Sequence, residues 1–137
     1  MNTLMVPISP GELLDKITIL RIKSARVRDA EKLANVQREL SLLEHTWRSA
    51  LSLDAALSAE EAELERVNTA LWEIEDRIRE HEARHRFDAD FIELARSVYL
   101  RNDERAAIKH RINRKLNSSL VEEKSYQPYR KPPSTEP

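Results

Sequence analysis

Apolar residues recur at helical spacing along most of this chain. Leu13, Ile17, Leu20 and Val27 form one stripe, while Leu14, Ile19 and Ile22 lie off it. The first helix is therefore apolar on more than one side and belongs at the centre of a bundle or in a subunit interface. Its start is marked by Ser9 as a cap, Pro10 in the first turn and Glu12 three residues on, with Ile8 and Leu13 spaced for a hydrophobic staple. The phase changes around Arg28-Asp29-Ala30, and Leu33, Val36, Leu40, Leu43 and Trp47 supply a second stripe with Asp29 as its cap. Ser52-Leu53-Asp54 and then Ser58-Ala59-Glu60-Glu61 mark the next break, the latter again fitting a capping box. In the third helix Leu64, Val67, Leu71, Ile74 and Ile78 form the apolar face, and Glu61, Asn68, Glu75 and Glu82 recur along its flank.

The segment from Phe87 to Leu116 begins as a clean amphipathic helix, capped by Asp88 or Asp90, and then breaks its own rule. Phe91, Leu94, Ala95, Val98, Ile112 and Leu116 share one face of the helical wheel, and Asn102 and Lys109 fall inside that face. Either these polar groups meet partners on neighbouring helices, since an unpaired buried charge is costly, or the stripe drifts toward Ile108 and leaves them at an edge. After Asn117 the pattern stops, and Pro128, Pro132, Pro133 and Pro137 follow. The pattern predicts an all-α, mainly antiparallel bundle of about four helices over residues 1–117. Residues 118–137 are expected to form an extended tail, disordered at its end, with Tyr126 and Tyr129 available to dock on the bundle.

Composition narrows the function classes. The 137 residues suit one domain, and 34% charged against 5% aromatic residues with a single glycine is the profile of long solvated helices. A net charge of -1 provides no global field for nucleic acid or anionic lipid. With no cysteine, disulfides and thiolate metal sites are excluded. The first residues lack a basic n-region and a cleavage pattern, and no apolar run reaches a spanning length, so a soluble cytoplasmic protein is expected. The surplus apolar surface of the first helix suggests a homodimer.

Three constellations are candidates for chemistry. His81-Glu82-Ala83-Arg84-His85 has the spacing that puts two imidazoles on adjacent helical turns to hold zinc, although it sits at a helix end in a charged run. Glu73 with Asp76, and Asp90 with Glu93, are acidic pairs that an antiparallel hairpin would face across a magnesium ion, as in all-helical nucleoside triphosphate pyrophosphohydrolases. The acid order in the second pair is reversed relative to those enzymes. The third set is Glu75, Asn102, Arg105, Lys109 and Asn113, joined by Lys16 or Lys23 if the first, third and fourth helices pack together. It would either line a pocket for a small anion or bury an ion pair with amides that fixes helix register.

Four phrases carry a family resemblance: Ile8-Ser-Pro-Gly-Glu-Leu-Leu-Asp-Lys-Ile-Thr-Ile19, Leu71-Trp-Glu-Ile-Glu-Asp76, Asn102-Asp-Glu-Arg-Ala-Ala-Ile-Lys109 and Glu122-Glu-Lys-Ser-Tyr126. Together they resemble an uncharacterised family of small all-helical bacterial proteins, a domain of unknown function, from Ile8 to Tyr126. The resemblance supplies no catalytic residue. By association with surface-polysaccharide genes it implies sugar-nucleotide chemistry or an accessory role in glycan assembly. The resulting expectation is a helical interaction or binding module with no cofactor. The alternative is a magnesium-dependent enzyme acting on a nucleotide or sugar nucleotide.

Overall fold

The computed structural model of the chain describes residues 2–51 and 56–129. It is all-α, with four helices: α1 (Pro10–Arg26), α2 (Ala30–Ala50), α3 (Ser58–Ala83) and α4 (Ala89–Lys115). The predicted break at Ser52-Leu53-Asp54 and the expected disorder at the end of the tail fall outside the described residues.

Three of the predicted helix starts are capped as the sequence suggests. The Glu12 N–H donates to Ser9 Oγ at 3.2 Å, the Lys32 N–H to Asp29 Oδ1 at 2.9 Å, and the Phe91 N–H to Asp88 Oδ1 at 3.1 Å. The two predicted capping boxes fare less well. The Glu12 carboxylate is on Lys109 instead of closing the first box. In α3 the cap position belongs to Leu57, which makes no side-chain cap bond, and Ser58 is already helical. Leu57 is buried in the core, and anchoring it there draws the helix start onto Ser58, while Glu61 pairs with Arg21.

Helices α3 and α4 form a long antiparallel hairpin: Glu60 meets Lys115 and Glu63 meets Arg111 near its open end, while His81 lies beside Asp88 at the turn. Helix α1 packs on both α3 and α4, and α2 returns along α1 alone. The core is Leu14, Leu57, Leu64, Val67, Ile108 and Ile112, with Trp47, Leu51, Leu71 and Leu116 half-buried against it. Leu13, Leu14, Ile17, Leu20 and Ile22 of α1 are all buried, whereas α2 has no fully buried residue. So α1 is the central helix, packed against three helices of its own chain. Among the described residues no helix is long and apolar enough to cross a membrane.

Two left-handed residues redirect the chain. His85 (φ 51°) and Asn117 (φ 52°) each stand just past a helix end. In both places the next N–H reaches back five residues, Arg86 to the His81 carbonyl and Ser118 to the Asn113 carbonyl, each at 2.9 Å. The second of these turns sends the tail back along α4. Glu122 then meets Lys109, and further on Tyr129 donates to the Asp103 carboxylate and packs on the Tyr99 ring at 4.8 Å between centroids.

Candidate functional site

Close contact between α1 and α4 begins at the single glycine. A Cβ on Gly11 would lie 2.6 Å from the Lys109 carbonyl oxygen and 2.9 Å from Asn113 Oδ1. Only glycine lets the two backbones come this near, and its N–H donates to Asn113 Oδ1 at 2.8 Å. From there Gly11, Asp15 and Thr18 continue up one face of α1, opposite Asn113, Lys109, Arg105 and Asn102 on α4. This is why polar residues occupy core positions of α4: Asn113, Lys109 and Arg105 each meet a group of α1, and Asn102 accepts from Arg105 of its own helix.

Asp15 is the centre of the arrangement, its side chain 1% exposed. Arg105 grips it with two donors, Nε to Oδ1 at 2.9 Å and Nη2 to Oδ2. Asn68 of α3 donates to Asp15 Oδ1 and to Thr18 Oγ1, both at 2.9 Å, and the Thr18 hydroxyl donates to the Asp15 carbonyl at 2.8 Å. Burial pushes the Asp15 carboxyl up, but the Arg105 and Asn68 hydrogen bonds, with the Arg105 and Lys109 charges, outweigh it and hold it below the usual carboxylate range. Arg105 is in turn held in its charged form, chiefly by Asp15 against its own burial.

One turn away, Lys109 sits between two carboxylates, Glu12 at 2.6 Å and Glu122 of the tail at 2.9 Å. Burial opposes the ammonium charge, yet the two carboxylates prevail and raise its pKa, while Lys109 holds Glu122 below the usual range. Replacing Lys109 by methionine leaves Glu12 and Glu122 without their shared cation. Because both carboxylates are partly exposed, the expected loss is about 1–2 kcal/mol, less than for a dry pair. Urea unfolding at neutral pH checks it, and a neutral or stabilising result would show that the lysine is no structural tie.

This polar wall separates two clefts that share Val98, Asn102 and Arg105. The cleft among α1, α3 and α4 has a volume of ≈ 540 Å³ and brings Trp72, Leu71 and Ile22 together with Lys23, Glu75 and Asp76. The other, ≈ 680 Å³, lies between α1, α4 and the tail and is lined by Glu12, Lys109, Glu122, Lys124 and Tyr126 among others.

The five-residue set read from the sequence is thus divided by the wall. Asn102 and Arg105 face both clefts, Glu75 lines the first with Lys23, and Lys109 lines the second. Asn113 serves the Gly11 N–H, and Lys16 is exposed. Glu75 is near Arg79 on its own helix, at 3.7 Å. Sequence reasoning missed Glu12, Asp15, Thr18, Asn68 and Glu122. Asp15 left a signal, an acid between the apolar residues Leu14 and Ile17 of a helix predicted to be central.

The candidate metal ligands are placed apart from this site, Asp76 excepted. Glu73 pairs with Arg26 at 3.1 Å and Glu93 with Arg96 at 3.4 Å, while Asp90 stands exposed in the first turn of α4. Helix α3 stops at Ala83, so His85 is not on the helical turn that zinc spacing requires; it packs edge-on near Phe87, and His81 Nδ1 lies 3.0 Å from the Arg86 carbonyl. Among the described residues no three His, Cys, Asp or Glu side chains gather as a metal site would need.

The model of a family of unknown function, DUF6165, matches residues 4–136, nearly the whole chain. The protein belongs to this family. No curated protein and no solved structure matches it. In this DUF6165 chain the four phrases quoted above, distant in sequence, supply nearly every residue of the wall and much of the lining of both clefts. The matched region also takes in the tail that carries Glu122, so the DUF6165 unit is the bundle together with its returning strand.

Proposed function

We propose that the protein is a small-ligand binding module whose ligand sits in the cleft among α1, α3 and α4. The observation that carries this reading is a pair of opposite charges with nothing to do. Among the described residues neither Lys23 nor Asp76 has a side-chain partner, yet both line a concave cleft beside the Trp72 ring. The volume suits a small molecule, and the lining combines apolar walls with a few polar groups, as binding sites do. An anionic ligand carrying a ring satisfies all of it: Trp72 packs against the ring, Lys23 meets the anionic group, and Asp76 and Asn102 take hydroxyl or amide donors. Arg105, locked on Asp15, provides a rigid floor, so little ordering is required on binding.

Sugar nucleotides head the ligand panel because the family resemblance implies glycan assembly. Nucleotides and small dicarboxylates complete it, each tested with and without magnesium. A ligand at about a hundred times its dissociation constant adds roughly 2.7 kcal/mol to the folded state, visible as a higher Tm. One class is expected to raise Tm and quench Trp72 in a Trp47→Phe background, and Lys23→Met is expected to abolish both effects. A flat panel, or a shift that survives Lys23→Met, would overturn the assignment of this cleft. A shift that depends on magnesium and is lost in Asp76→Asn would favour a metal-dependent enzyme at the same place.

A further inference from the structure

The second cleft carries an inference independent of the first. We propose that Lys109 is the anchor of a separate carboxylate-binding site, in which the tail's Glu122 holds the place of a ligand carboxylate and is displaced when that ligand binds.

The geometry treats the two partners of Lys109 differently. Glu12 is built into the first turn of α1, one residue after the glycine pressed against α4, so its backbone is held by helix packing. Glu122 belongs to a non-helical strand that lies over the cleft. Its carboxylate is about half exposed, while the Lys109 side chain is only 11% exposed. The cation is thus fixed and the anion is on a hinge, the turn at Asn117 and Ser118.

Exchange of one carboxylate for another conserves charge. When Glu122 swings out, Lys109 keeps Glu12, Arg105 keeps Asp15, and an ammonium donor is released toward a cleft of ≈ 680 Å³. A carboxylate entering there replaces what left, so no buried charge is stranded at either end of the exchange. The Asn102 amide, on α4 and so left in place when the tail departs, lines the same cleft and offers a donor to a second acidic group, which selects a di- or tricarboxylate over a simple one. The tail competes as an intramolecular ligand, and its effective concentration sets the level the free carboxylate must exceed.

Citrate is a suitable probe, titrated into the full chain by calorimetry, with tryptic cleavage after Lys124 as a monitor of the tail. Glu122→Gln is expected to bind citrate about fivefold tighter than the natural chain, the gain from removing one partly exposed ionic competitor. Glu123→Gln, the same charge change one residue on, is expected to gain much less. Citrate is expected to speed cleavage after Lys124 in the natural chain, and Lys109→Met is expected to abolish binding. The proposal falls if Glu122→Gln binds no tighter than the natural chain, if neither binds citrate, if Glu123→Gln gains as much, or if binding leaves the cleavage rate unchanged. Trp72 fluorescence reports the other cleft, so failure here is distinguishable from failure there.

Discussion

Arg105→Met is expected to cost about 3–5 kcal/mol, because it leaves the Asp15 carboxylate buried without its cation. The effect has a pH signature that simple loss of packing lacks. In the natural chain the Asp15 carboxyl is held low, so its contribution is present above the unfolded carboxylate pKa and is lost as pH falls through the folded value. In Arg105→Met the burial that pushes Asp15 up is opposed mainly by Asn68, and the folded pKa rises above the unfolded one. The sign of the contribution then reverses: it is fully present below the unfolded pKa and is lost as pH rises through the folded one. Urea unfolding of both proteins across pH 4–8, roughly the window in which a displaced carboxyl titrates, is expected to show the variant losing less stability on acidification than the natural chain. A variant that is weaker by the same amount at every pH would mean that Asp15 is not the source. Pairing Arg105→Met with Asp15→Leu is expected to recover much of the loss, since the cost lies in stranding the charge.

Gly11→Ala is the second large effect, and it runs against helix propensity. In an exposed helix the change would stabilise by up to about 1 kcal/mol. Here the new methyl group meets the Lys109 carbonyl at 2.6 Å, a backbone atom that can retreat only if α4 moves. The expected outcome is a loss of about 2 kcal/mol, within the range for overpacking a tight contact. Separation of the two helices should also lengthen the bond from the Gly11 N–H to Asn113. Faster hydrogen exchange at that amide, together with a lower Tm, checks the mechanism; a more stable protein would show that α4 gives way to the methyl group at no cost.

The architecture was legible because it is periodic. Leu64 with Val67, and Leu13 with Ile17, reveal buried faces by spacing alone, and Asp29 and Asp88 cap because local geometry suffices. Half of the site was legible for the same reason: Asn102 and Lys109 stood out as polar groups at apolar positions. The groups that complete the site were not, since Asp15 lies 90 residues from Arg105 and 53 from Asn68 in the chain and no local pattern couples them. The same limit explains the first capping box. Ser9 and Glu12 satisfy the local rule, but a lysine about a hundred residues downstream competes for the carboxylate and wins it. Gly11 was read only as part of a helix start, because close backbone approach is a property of two helices and not of one.

The hydrogen bond from Gly11 to Asn113 closes a loop of 102 residues, and this has a consequence for the order of events on the ribosome. When α1 leaves the exit tunnel, Asp15 has no cation and remains hydrated. Helix α2 can pair with α1 at once, and the α3–α4 hairpin forms locally as it emerges, but the wall waits for α4 to arrive. Long-range closure of this kind is slow compared with neighbouring helix pairing. Neither cleft is therefore complete before α4 has joined α1 and α3: a chain cut short before Arg105 lacks the wall, and one cut short just before Glu122 keeps the wall with its own plug missing.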